Sequence, residues 1–224
     1  MTDTTPGRLY GVGLGPGDPE LITRKAARLI ADADVLAYYS GTHGRSIARS
    51  IAADLIPDGV IEELLIYPVT TGTTEHPGGY DGAIADFYDA SAARLAAHLD
   101  AGRTVVVLCE GDPLFYGSYM YLHDRLAPRY PTEVVPGVTS VSAASAAAAE
   151  PMVRRTDVLT ILPGTLPAPE LARRLADTDG AAIMKFCDLP PRVTHHTIRI
   201  DDQEVCDDAN EYDHVATQVC IGMT

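Results

Sequence analysis

The sequence has no run of about 18 apolar residues, the length a membrane-crossing helix needs. Its opening stretch, Met1 to Gly7, lacks the basic and apolar regions of a secretory leader. The expected location is therefore the cytoplasm, with no membrane partner. Cysteine is scarce. Cys109, Cys187, Cys206 and Cys220 form no C-x-x-C pair, so neither a zinc site nor a dithiol motif is supported, and no metal is expected. Positive charge is short as well: 17 Lys and Arg against 31 Asp and Glu leave a formal net charge of −14. Such a surface repels phosphates, and no basic stripe with interleaved aromatics offsets it. Nucleic acid is not an expected partner.

What is present is apolar side chain, 46% of residues, enough for a substantial core in one large domain or two small ones. Strand and helix patterns alternate over most of the chain. Strands are predicted over residues 8–12, 35–39, 61–66, 104–108, 133–135 and 158–162. Helices are predicted over 19–31, 44–55, 81–99, 118–126 and 138–149. Asp18 as cap and Pro19 at the first helical position mark the start of the first helix. The β-branched run ending at Leu108 suits a strand buried on both faces of a parallel sheet. These patterns predict an α/β fold with a mostly parallel, helix-covered sheet. The proline-rich stretch 163–169 reads as a linker, giving an N-terminal domain over 1–162 and a smaller α/β domain over 163–224 that is atypical after 185. A helix over 170–176 and a strand over 181–185 follow. Beyond Lys185 alanine thins out, three of the four cysteines appear and acids crowd, with short strands expected over 197–200 and 216–221.

Three glycine-bearing turns end predicted strands. The first, G-V-G-L-G-P-G-D-P-E-L-I-T from Gly11 to Thr23, invites a dinucleotide reading, but G-x-G-x-x-G begun at Gly11 meets Pro16, and begun at Gly13 meets Asp18. Pro16 also removes an amide that a phosphate would use, and Asp18 repels it. A tight turn bringing backbone to an uncharged or cationic ligand fits better. The second, C-E-G-D-P-L-F-Y-G-S from Cys109 to Ser118, carries Glu110 and Asp112. These acids could face a cation, accept from ribose hydroxyls, or serve a plain capped turn. The third, V-V-P-G-V-T-S from Val134 to Ser140, brings Thr139 and Ser140 to a helix start, as caps or as ligand contacts.

Taken in this order and spacing, the glycine-rich opening, the G-D-P-x-x-Y-G loop and the P-G-x-T-S turn resemble the tetrapyrrole (precorrin) methylase family. The strings C-E-G-D-P-L-F-Y-G-S-Y, Y-P-V-T-T and I-L-P-G-T-L-P resemble its precorrin-2 C(20)-methyltransferase branch over roughly residues 8–185. The resemblance implies S-adenosyl-L-methionine as cofactor, a tetrapyrrole substrate and a homodimer. It matches Pro16, Glu110, Gly111, Asp112, Phe115, Thr139, Ser140 and Met184 to cofactor-binding positions. Uroporphyrinogen methylases carry an acid where Tyr39 stands here. That departure counts against uroporphyrinogen III as substrate and makes Tyr39 the candidate for acid/base work, with packing as its alternative role. His43, Arg45, Arg154 and Arg155 are candidates for substrate carboxylates, which this acidic chain would have to meet in a local positive pocket.

The implied reaction is methyl transfer to carbon 20 of precorrin-2, or of cobalt-precorrin-2. Another precorrin as acceptor, or a binding protein with impaired catalysis, remain the alternatives. The second arises because Phe186 to Thr224 does not resemble the family's continuation. A reading-frame change or truncation that replaced the native end is expected, with ordinary divergence as the other explanation.

Overall fold

A computed structural model describes residues 5–70 and 74–184, together with the backbone of 219–223. The first compact unit, Met1–Thr139, is built on five strands: β1 (Leu9–Gly13), β2 (Val35–Ser40), β3 (Ile61–Ile66), β4 (Val105–Cys109) and β5 (Thr132–Val135). All neighbours pair in parallel, in the order β3-β2-β4-β1-β5. The expected α/β class and parallel sheet are present.

The central strand β4 shows why this sheet needs cover on both sides. All five of its residues are buried, and alternate side chains enter opposite cores. Val105, Val107 and Cys109 join Leu95, Leu99 and Leu122 from α3 (Gly79–Asp100) and α4 (Tyr119–Leu126). Val106 and Leu108 join Ala26, Ile30 and Ile51 from α1 (Arg24–Ala31) and α2 (Ile47–Ile51). Each buried aliphatic side chain of this kind contributes roughly 1.5–3 kcal/mol by leaving water.

The first two helices start later than their sequence pattern suggests. Asp18 accepts from the Glu20 N–H at 2.8 Å, but it caps only a short 3-10 turn, Pro19–Leu21. Ile22 is extended, and Thr23 Oγ1 accepts from the Ala26 N–H to open α1 itself. Likewise Ser46 caps α2, which ends at Ile51 and is followed by a 3-10 turn, so the expected helix over 44–55 is shorter and broken. In both cases an internal Thr or Ser cap outcompetes the upstream start signal.

The second unit, Ser140–Thr224, contains α5 (Ser140–Ala148), β6 (Leu159–Pro163), α6 (Ala168–Leu175), β7 (Gly180–Met184) and β8 (Val219–Met223). Strands β6 and β7 are parallel, and β8 pairs antiparallel with β7. The compact units divide after Thr139, whereas the proline-rich stretch suggested a division after residue 162. Pro163 pairs with Met184 as the last residue of β6, a position where a missing N–H costs little. The strand expected over 216–221 corresponds to β8. The one expected over 197–200, and Lys185 with the altered composition that follows it, lie outside the described residues.

Candidate active site at the switch point of the sheet

The connection leaving β1 passes through α1 on one face of the sheet, and the connection leaving β4 passes through α4 on the other. Because β1 and β4 are neighbours, the region beyond their carboxyl ends is the usual ligand position in an open α/β sheet. The three motif turns follow β1, β4 and β5, three adjacent strands, and they meet here through main chain.

Gly111 N–H donates to the Gly15 carbonyl at 2.7 Å, and Gly15 N–H returns to the Gly111 carbonyl at 3.3 Å. Leu14 N–H donates to the Cys109 carbonyl at 2.9 Å. The turn after β5 presses on the same spot: a Cβ on Gly137 would lie 2.0 Å from the Gly111 carbonyl oxygen. Only glycine permits that approach. Gly111 itself has φ of +63°, and the space its missing Cβ would occupy has nothing within 4 Å. The cradle is thus closed behind by glycine backbone and open in front of Gly111.

Carboxylates organise the middle loop. Asp112 Oδ1 accepts from Leu114 N–H at 2.9 Å, and its Oδ2 accepts from Gly137 N–H at 3.1 Å. Glu110 keeps a solvent-accessible face, yet the surrounding chain strips away enough water to push its carboxyl pKa upward, while the Ala48 N–H works in the opposite direction. Phe115 is half-buried, its ring 5.2 Å from that of Tyr116, which sits at φ of +53°. Pro16 is exposed beside the first turn, and Thr139 and Ser140 are half-buried where the third turn meets α5.

The remaining candidates lie farther from this knot or in the second unit. His43 and Arg45 are exposed in the connection after β2, where His43 Nδ1 accepts from Arg45 N–H at 3.3 Å. Tyr39, near the end of β2, is packed against Tyr67 with ring centroids 5.6 Å apart, and its hydroxyl donates to the Ser118 carbonyl at 3.3 Å. Burial pushes its phenol well above the ordinary range, so it stays protonated at neutral pH. Arg154 and Arg155 are exposed in the second unit, where Arg154 N–H donates to Asp157 Oδ2 at 2.7 Å. Met184 is buried at the end of β7. Among the described residues, no group of three His, Cys, Asp or Glu is placed to hold a metal ion, and no helix is long and apolar enough to cross a membrane.

Sequence reasoning singled out the hydroxyls after the third turn but passed over Gly13 and Gly137, the residues that make the backbone contact. The signal was in the quoted Pro-Gly string, since a glycine following a strand often marks close backbone approach.

The donor set favours one kind of ligand. Pro16 and Pro136 bring no N–H, Asp18 is spent on its own turn, and the middle loop carries two acids and no cation. A pyrophosphate would find few donors here. A nucleoside bearing a positive charge would find carbonyls and carboxylates.

An all-parallel α/β domain with three glycine-bearing turns meeting at its switch point, followed by a smaller α/β unit, defines the class of protein. The profile of the tetrapyrrole (corrin/porphyrin) methylases matches residues 8–205, past the point at Lys185 where the motif resemblance stops. The chain belongs to that family. It is 63% identical over 180 residues to the cobalamin biosynthesis protein CobIJ of Mycobacterium tuberculosis (strain ATCC 25618 / H37Rv), covering 80% of this chain and 35% of that protein. It is 53% identical over 185 residues to a precorrin-2 C(20)-methyltransferase of Sinorhizobium sp., covering 83% of this chain and 76% of that one. A solved uroporphyrin-III C-methyl transferase from Thermus thermophilus, complexed with S-adenyl homocysteine, aligns with a TM-score of 0.54 at 28% identity, over 80% of this chain and 65% of that one. The chain thus spans about a third of the length of its CobIJ relatives.

Proposed function

We propose that this chain catalyses methyl transfer from S-adenosyl-L-methionine to carbon 20 of precorrin-2, or of its cobalt-containing counterpart, in cobalamin biosynthesis. The observation that carries the reading is the 53% identity to a precorrin-2 C(20)-methyltransferase over 185 residues, 83% of this chain. The chemistry of the cradle agrees with it, as does the S-adenyl homocysteine in the Thermus relative. In this reading Pro16, Glu110, Gly111, Asp112, Phe115, Thr139, Ser140 and Met184 make up the cofactor site, by contact or by shaping its loops, and His43, Arg45, Arg154 and Arg155 receive substrate carboxylates. The reading extends to a homodimer in the cytoplasm, as the family resemblance implies.

When bound, S-adenosylmethionine supplies an electrophilic methyl group on a sulfonium sulfur. Precorrin-2 is electron-rich at its meso carbons, so the chain need not furnish a strong nucleophile. Its residues hold the two molecules in line and keep water away. Backbone groups at Gly15, Gly111 and Gly137 suit that task because they do not reorient, and Phe115 supplies an apolar neighbour.

The test is incubation of the intact protein with S-adenosylmethionine and precorrin-2, followed by mass and NMR analysis of the tetrapyrrole. A single added methyl at carbon 20 is expected. A methyl at another carbon would reassign the acceptor. Binding of S-adenosylhomocysteine without turnover would favour the impaired-catalysis alternative. Absence of binding in calorimetric titration would overturn the reading altogether.

A further inference from the structure

The acids of the middle loop were open to two readings: contact with a cation or ribose, or service to the loop. The geometry points to the second for Asp112, an inference that rests on the proposed cofactor site. We propose that Asp112 is a positioning residue whose carboxylate locks the turn after β5 onto the loop after β4, leaving Gly111 backbone to meet the ligand.

Both carboxylate oxygens are engaged by main chain. Oδ1 takes the Leu114 N–H of its own loop at 2.9 Å and shapes the reversal after Pro113. Oδ2 takes the Gly137 N–H, from a separate loop 25 residues along the chain, at 3.1 Å. That N–H is the first the third turn offers, because Pro136 has none. The same glycine closes on the Gly111 carbonyl so tightly that a Cβ would stand 2.0 Å from the oxygen and 2.9 Å from Gly13 Cα. A three-way backbone contact of this kind has little side-chain area to hold it. A charge-assisted hydrogen bond across it is the available clamp.

The rival role, direct contact with ligand, makes different demands. A carboxylate facing the sulfonium would matter for S-adenosylmethionine and much less for S-adenosylhomocysteine, whose sulfur is neutral. A carboxylate on the ribose would cease to matter for an analogue lacking the ribose hydroxyls. A clamp acting through Gly137 weakens all three ligands alike.

The experiment is calorimetric titration of the intact wild type, Asp112→Asn and Asp112→Ala with S-adenosylmethionine, S-adenosylhomocysteine and 2′,3′-dideoxy-S-adenosylhomocysteine, with amide hydrogen exchange on the same proteins. Asp112→Asn keeps one acceptor oxygen and is expected to weaken each ligand by about tenfold, and Asp112→Ala by more, in line with loss of one or two hydrogen bonds to a charged group. Affinity ratios among the three ligands should stay at their wild-type values. Exchange at the Gly137 amide should accelerate by about tenfold or more, while amides of β1 and β4 keep their protection. In turnover, the KM for S-adenosylmethionine should rise while that for precorrin-2 holds, an outcome that general loosening would not give. A loss confined to the sulfonium ligand, or abolished by removing the ribose hydroxyls, would make Asp112 a ligand contact and overturn the inference. So would unchanged exchange at Gly137. If wild type binds none of the ligands, the proposed function fails, and exchange at Gly137 still decides the clamp.

Discussion

The carboxyl edge of the first sheet is finished in two different ways. Over β4, β1 and β5 it ends in glycine and proline, with main chain packed on main chain and an open space before Gly111. Over β2 and β3 it ends in side chains. Tyr39, Tyr67, Phe87 and Tyr88 pack there with stacked and edge-on rings, and the Tyr67 and Tyr88 hydroxyls lie 2.9 Å apart. Toward the start of β3 and on the other face of the sheet, Glu62 is gripped in a fork by Arg49, at 2.6 and 3.0 Å, and by the Tyr38 hydroxyl at 2.6 Å. One half of the edge is finished by main chain and the other by side chains. Side chains are bulky and relax; backbone turns are thin and stiff. A site that must hold reacting atoms in line belongs on the second kind of surface.

The largest expected effect breaks the backbone half. Gly137→Ala places a methyl against the Gly111 carbonyl, so the two turns must part. A displacement approaching 1 Å is expected to cost about a hundredfold in kcat/KM. Steady-state kinetics with varied S-adenosylmethionine checks this, and a variant within a few-fold of wild type would show that the knot is incidental. The side-chain half should prove more forgiving. Tyr39→Phe keeps the ring packing and loses one hydrogen bond to the Ser118 carbonyl, worth roughly 1 kcal/mol in an unfolding titration. Its kcat should stay within about threefold of wild type with an unshifted pH profile, whereas loss of a general acid or base costs about a hundredfold or more. A large fall in kcat with a moved pH profile would restore Tyr39 as the acid/base candidate.

The difference between the two halves also governs what could be read from sequence. The strands were legible because β-branched runs such as Val105 to Val107 announce a doubly covered parallel strand. The strand ends of the three turns were legible too, because glycine and proline punctuate them. The starts of α1 and α2 were misjudged because Pro19 and Gly44 are plausible openings and nothing local ranks them below Thr23 and Ser46. The aromatic cluster was invisible. Tyr39, Tyr67, Phe87 and Tyr88 come from three different elements, and only the strand order brings them together. The contact of Asp112 with Gly137 likewise depends on β1 lying between β4 and β5, which no local pattern states.

The smallest effect sets Glu110, in the backbone half of the edge, against Glu62, near the start of β3. The Glu110 carboxyl is pushed above its ordinary value of 4.5, chiefly by burial, so the folded chain holds that proton more tightly than the unfolded chain does. Its contribution to stability is present below the ordinary carboxyl range and is lost as pH rises through the raised value. Glu62 is held below 4.5, first by Arg49 and then by Tyr38. Its contribution is present above the ordinary range and is lost as pH falls through the lowered value. Replacing each with Gln should therefore change stability with opposite pH dependence. Across a range that spans 4.5, Glu110→Gln should gain on wild type as pH climbs above that value, and Glu62→Gln should trail wild type there and close the gap as pH falls below it. Urea unfolding of the three proteins across that range measures both slopes. If the two variants moved together, the two carboxyls would share one electrostatic environment, and the opposite causes assigned to them, burial for Glu110 and the Arg49 and Tyr38 contacts for Glu62, would lose their physical basis.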